Sequence, residues 1–245
     1  MNRFLLTSLS ILALSSTATI ASAQDFSDAQ RVEIKKMFDE YLATSGEAVL
    51  QSVNKYQADL ESKDRAEAEV KAKTFIESLG DTKDMPMAGN PDGDITIVEF
   101  FDYNCGYCHK ALTEIQSLLK DDKNVKVIFM EMPILGPSSL VAAQWSLAAQ
   151  KQDKYFDYHQ AIMGFDGPKD DASMEKLAGE VGLDVEKLKK DKDSAEIKKS
   201  IETKIQQAQD LGIRGTPGFI VAGQLFPGYI PAAQMKEIIA EARKK

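Results

Sequence analysis

Glu99-Phe100-Phe101-Asp102-Tyr103-Asn104-Cys105-Gly106-Tyr107-Cys108 decides the fold of this 245-residue chain. It closes a run of β-forming residues that begins at Ile95, and it opens an amphipathic stretch that reaches about Lys120. Such a run reads as a buried strand followed by a helix, with both cysteines at the joint. Cys105 and Cys108 are the only two cysteines. A pair this close cannot staple distant segments, so its use is chemical: exchanging a disulfide, holding a metal, or tethering a haem.

After the helix, residues 121–124 form a turn and 125–130 a second strand. Strand, helix, strand at this spacing predicts a parallel βαβ unit. Upstream, Pro86, Gly89, Pro91 and Gly93 mark a boundary over residues 85–94. Downstream lies a helical block, with helices expected at 140–151, 155–163, 173–181, 185–190 and 194–209. Trp145 reads as core of that block, and the lysine-rich run 187–204, which alternates with acids, as a solvated face. Arg214-Gly215-Thr216-Pro217 leads into a strand at 218–222, a turn at Gly223-Gln224, a last strand at 225–229, and a closing helix with Pro231 in its first turn. The sum is an α/β sheet with an all-helical insertion.

The N-terminal third is of another kind. A basic start at Asn2-Arg3, an apolar stretch over 4–15 and the small residues Ala21-Ser22-Ala23 read as a secretory signal peptide occupying 1–23. The protein is therefore expected to be soluble, exported and periplasmic. The net charge is −8, and loss of Arg3, the only charge in 1–23, leaves −9. With no basic stripe interleaved with aromatics, nucleic acid is not an expected partner. Ser27-x-x-Gln30 and Thr44-x-x-Glu47 read as capping boxes, and a helical pattern runs to Leu79 with Gly80 as its stop. Val49, Val53, Tyr56 and Leu60 form a short apolar seam, which charges and alanines replace over 61–69. Residues 24–84 thus read as a helical oligomerisation segment and linker: 26–60 self-associate into a homo-oligomer and 61–79 act as a stalk.

At the joint, the free N–H groups of the helix start favour negative charge, so the Cys105 thiol is expected to be acidic, exposed and nucleophilic. Cys108 continues the core-facing stripe of Leu112, Ile115 and Leu119 and is expected to be recessed. That asymmetry suits thiol–disulfide exchange. Glu99 lies in a strand that otherwise reads as core, so its carboxyl pKa is expected to rise, and it is placed to relay the proton that Cys108 must lose.

The stretch from Phe100 to Cys108, with Glu99 six residues before Cys105 and Thr216-Pro217 far downstream, resembles the DsbA-like branch of the thioredoxin superfamily. The resemblance covers about 85–245 and implies a thioredoxin-like domain whose helical insertion spans about 138–208. It further implies a redox-active pair Cys105/Cys108, a buried acid at Glu99, and substrate contact at Gly106, Tyr107 and the X-cis-Pro Thr216-Pro217. The N-terminal helices resemble those of the suppressor-of-copper-sensitivity C subgroup, which oligomerises there. Gly106-Tyr107 departs from the Pro-His pair of the strong oxidants and, with Thr216, is more like the isomerases. The resemblance implies no cofactor, cysteine-containing exported proteins as substrates, and a membrane redox partner that recycles the pair.

Three other chemistries fit parts of the pattern. Cys105-x-x-Cys108-His109 is also the attachment pattern of c-type haem, which would make the chain an electron carrier. Two thiolates suit copper(I), but structural zinc needs four ligands. A cysteine hydrolase would need His159 as its base and would leave Cys108 without a purpose. Tyr107 and Phe219 are expected to line a groove for unfolded substrates.

Overall fold

Ser27 and Gln30 cap one another reciprocally, side chain to backbone, and open helix α1 (Asp28–Thr44). A computed structural model describes residues 26–244 of the chain; the expected signal peptide lies outside them. Helix α2 (Gly46–Ser78) follows after the single residue Ser45. Thr44 is not a cap: it is still in the last turn of α1, and its hydroxyl donates back to the Glu40 and Tyr41 carbonyls. Gly80 takes the left-handed conformation (φ 59°) that ends α2, as its position predicts. The chain divides into two compact units, one ending at Asp59 and one running from Leu60 to Lys245. In the first unit α1 buries none of its residues, and Met37, Phe38 and Tyr41 are exposed.

The second unit is built on a five-stranded sheet. Its strands are β1 (Met87–Gly89), β2 (Ile95–Phe101), β3 (Val125–Glu131), β4 (Gly218–Val221) and β5 (Gln224–Phe226), in the order β1-β3-β2-β4-β5. Strands β2 and β3 are parallel and are joined through helix α3 (Gly106–Asp121). Every other pairing is antiparallel. Strand β2 is central and buried on both faces, which is why its sequence reads as an unbroken run of β-formers. Strand β1 is the one the sequence hides: the three residues Met87–Gly89 are too few to show alternation.

The insertion holds α4 (Pro137–Gln150), α5 (Tyr155–Met163), α6 (Asp171–Glu180), α7 (Val185–Asp191) and α8 (Ala195–Asp210), and α9 (Ala232–Ala242) closes the chain. Trp145 is buried, with its indole N–H on Asp171 at 2.8 Å. The lysine run is not wholly solvated. Lys204 is buried, and its ammonium lies 3.1 Å from the equally buried Glu131, whose other oxygen accepts the Tyr155 hydroxyl. The end of α2 is core rather than stalk: Ala72 and Phe75 join Phe100, Ile128 and Ile220 in a second cluster on the sheet, with the rings of Phe75 and Phe100 5.8 Å apart.

The β4–β5 turn is Ala222-Gly223, one residue earlier than its sequence suggests. Both residues have positive φ, 49° and 79°. The turn is therefore of the primed kind, which favours Asn-Gly because a Cβ is strained there. Ala222→Asn is expected to raise unfolding stability by about 0.5–1 kcal/mol, and Ala222→Val to lower it by at least as much, both read from urea midpoints.

Candidate active site

Helix α3 begins at Gly106, which makes Cys105 its N-cap residue, with extended backbone. The thiol therefore sits where the first-turn N–H groups are unpaired and the helix dipole is positive. Its pKa is pulled down from 9.0 to about 5, first by the hydrogen bond from the Cys108 thiol, against the opposing effect of burial, and then by Thr216 and the N–H groups of Cys108 and Tyr107. When protonated, Cys105 Sγ points at the Thr216 carbonyl, 3.1 Å away. The Thr216–Pro217 peptide is cis. Cys105 is less open than expected: only 7% of it is exposed. Cys108 is fully buried on the core stripe with Leu112, Ile115 and Leu118, and burial drives its pKa up. Both thiols are free.

Glu99 is buried in β2, where its neighbours across the sheet are Phe129 and Phe219. One carboxyl oxygen has no hydrogen-bond partner. Burial raises its pKa to about 8, and charge on Cys105 adds to this; its own charge in turn opposes ionisation of Cys108. Glu99, Cys105, Cys108 and Thr216 thus form one interacting group.

Around this centre, Tyr107 is 59% exposed and tilts against the half-open ring of Tyr229 at 5.9 Å. Tyr229 had no distinguishing signal in the sequence beyond its place between Gly228 and Pro231. Its hydroxyl donates to Glu114, whose second oxygen accepts the N–H of Ala232. Phe219 is fully buried and lines no groove, because it faces inward from β4. An added Cβ at Gly106 would meet nothing within 4 Å.

The rival chemistries fit this geometry poorly. Tethering a haem needs both sulfurs at the surface and a free His109 imidazole. Cys108 is fully buried, and His109 Nε2 lies 2.9 Å from the Tyr103 carbonyl. His159 is fully buried among aromatic rings and engages the Tyr103 hydroxyl (3.0 Å) through Nδ1. Burial holds its pKa near 3, so it is a packed neutral residue and not the base of a hydrolase. Among the described residues no group of three or more His, Cys, Asp or Glu side chains is arranged to hold a metal, so copper(I) would have the two sulfurs alone.

Residues 96–240 match the model of the DSBA-like thioredoxin domain. The chain belongs to the DsbA-like thioredoxin family. This is a family of thiol–disulfide oxidoreductases, and the DsbA-like fold with its helical insertion is the one described above. A thioredoxin-like oxidoreductase from Silicibacter pomeroyi is 43% identical, with a TM-score of 0.64 over 66% of this chain and 94% of that one. The catalytic domain of ScsC from Proteus mirabilis is 26% identical, with a TM-score of 0.64 over 72% of this chain and 99% of that one. A Na(+)/H(+) antiporter of Salinispora arenicola is 25% identical over 142 residues, or 57% of this chain. This chain spans 22% of that relative's length, so the likeness is to a part of the antiporter. Among the described residues of this DsbA-like protein, no helix is long and apolar enough to cross a membrane.

Two measurements test the electrostatics of the site. At pH 6, iodoacetamide is expected to modify the native reduced protein at Cys105 alone. The rate should be about tenfold that of free cysteine, after allowing for the weaker nucleophilicity of an acidic thiol; Cys108 should react only on unfolding. Glu99 has its raised pKa only when folded, so its contribution to stability is intact below about pH 4.5 and is lost as pH rises through 8. Glu99→Gln is therefore expected to stabilise the reduced protein by roughly 2–3 kcal/mol at pH 7 and by little at pH 4, read from denaturant curves at the two pH values.

Proposed function

We propose that the chain is an exported, periplasmic thiol–disulfide oxidoreductase that isomerises or oxidises disulfides of exported proteins through Cys105-Gly106-Tyr107-Cys108. The observation that carries this reading is the unequal sulfur pair: an acidic Cys105 at a helix start and a fully buried Cys108 behind it. The Cys105 thiolate attacks one sulfur of a substrate disulfide and forms a mixed disulfide, and the other substrate sulfur leaves as a thiolate. In isomerisation, a further substrate thiolate then displaces Cys105, so no net electrons move. When the substrate does not resolve the bond, Cys108 loses its proton and attacks Cys105. That step releases the second substrate thiol; the substrate is reduced by two electrons and the pair is oxidised. Oxidation of a substrate dithiol is the same sequence reversed. Glu99 takes the proton of Cys108, a role supported by its burial beside both sulfurs and a pKa near neutrality. The Thr216-Pro217 backbone is the docking edge for substrate, beside Gly106 and the exposed Tyr107.

The isomerase reading is favoured by a dipeptide that adds no positive charge beside the thiolate, and by an N-terminal segment suited to self-association. Val32, Met37, Phe38, Tyr41, Leu50 and Tyr56 are all exposed there, and large apolar side chains in that number favour burial against another copy. Two or more sites held near one misfolded chain raise the effective concentration of the attacking thiolate. A membrane redox partner that keeps the pair reduced completes the cycle.

Refolding of a scrambled multi-disulfide protein separates the readings. The mature chain is expected to be oligomeric by light scattering and to restore native pairing. A chain starting at Leu60 is expected to be monomeric and to exchange disulfides without efficient isomerisation. Cys105→Ser should abolish both activities, and Cys108→Ser should accumulate mixed disulfides visible on non-reducing gels. Equal, purely oxidising behaviour of the two chain lengths would favour the oxidase, and full activity of Cys105→Ser would sink the dithiol mechanism.

A further inference from the structure

The cysteine loop is held by a side chain that the mechanism above does not use. Asp102 is 1% exposed. Its Oδ1 accepts the Asn104 N–H at 2.8 Å and the Ser139 hydroxyl at 2.7 Å. Its Oδ2 accepts the N–H groups of Ile134 and Leu135 at 2.8 and 2.9 Å. The four donors come from three places: the cysteine loop itself, the connection between β3 and α4, and the first turn of α4. Asn104 adds a second strap, donating its side-chain amide to the hydroxyls of Ser138 and Ser139. The backbone of Asp102 meets both cysteines. Its carbonyl accepts the Cys105 N–H at 3.0 Å, and its own N–H faces the Cys108 sulfur. The buried Lys169 donates to the Phe165 carbonyl, so the direct contacts of the carboxylate are neutral N–H and O–H dipoles.

We propose that Asp102 is a positioning residue for the dithiol: its carboxylate, tied to the edge of the insertion, fixes the peptide groups that meet Cys105 and Cys108, and so sets the acidity of the outer sulfur and the shielding of the inner one. This rests on the dithiol reading above. A carboxylate with four donors is also what a simple fold staple looks like. The two roles differ in what the outer sulfur does when the carboxylate is altered, because a staple changes stability and leaves the reactivity of Cys105 as it was.

The test uses the full mature protein in its reduced form. Asp102→Asn keeps the shape but can accept on one atom only, and its NH2 must face two donors. Cys105 alkylation at pH 6 is expected to slow about tenfold, with the midpoint of its pH profile moving up toward that of free cysteine, as for loss of a hydrogen bond to a charged group. Ser139→Ala removes one donor and is expected to shift the Cys105 rate and midpoint in the same direction by less; it decides the matter if Asp102→Asn does not fold. Trp145→Phe, which loosens the insertion at Asp171 instead, is expected to lower stability and leave the Cys105 rate and midpoint unchanged. Wild-type rates in Asp102→Asn despite a lowered melting temperature would reduce Asp102 to a staple, as would equal shifts in Trp145→Phe. These are reactivities, not turnovers, so failure of the wild type to refold scrambled protein would sink the functional reading and leave the Asp102 result standing.

Discussion

One contact between neighbours organises the site: Cys108, one turn into α3, helps hold down the pKa of Cys105 at the helix start. It is a local contact made possible by long-range ones. The strand before it must be central, so that the sulfur behind is sealed. The loop bearing Thr216 must come from the far end of the chain to meet the sulfur in front. The helical block enters between these parts without breaking the sheet, because β3 is complete before α4 starts and β4 begins only after α8 ends. The low dielectric behind Cys108 and the helix start around Cys105 act in opposite directions on two chemically identical groups, which is how one motif yields an acidic sulfur and a buried protonated one.

Three buried acids close to this centre meet three different fates, and the difference lies in their donors. Asp102 has four neutral donors. Glu131 has a tyrosine hydroxyl and a buried ammonium. Glu99 has no donor at one of its oxygens, and burial carries its pKa to about 8. A buried carboxylate surrounded by protein donors organises structure, whereas one left without them is pushed toward its neutral form.

Much of this was legible in the chain. The run from Ile95 to Phe101 read as a buried strand, and the cysteine spacing with an apolar stripe behind it implied which sulfur is outer. The insertion helices announced themselves through capping residues such as Ser194, whose hydroxyl accepts the Ile197 N–H. What stayed hidden depended on contacts between segments far apart in sequence. Nothing near Lys204 reveals that Glu131 waits for it across the fold, so a lysine in a charged helix read as solvated. Alanines and one phenylalanine at the end of α2 looked like a stalk because their partners lie in the sheet. Tyr229 is a surface tyrosine until Tyr107 is placed beside it, and Phe219 faces inward only once β4 is paired with β2. Thr44 shows the opposite error, a local motif overruled by a helix that had not yet ended.

The empty space above Gly106 has an evolutionary reading. The residue just inside the helix is free of neighbours, while those on either side of it are held by the sulfur contacts and the aromatic pair. Changes at this one position can therefore adjust the electrical surroundings of the outer sulfur without repacking the domain. A substitution there is tolerated by the packing whatever its charge, so the position is open to variation while the scaffold around it stays fixed.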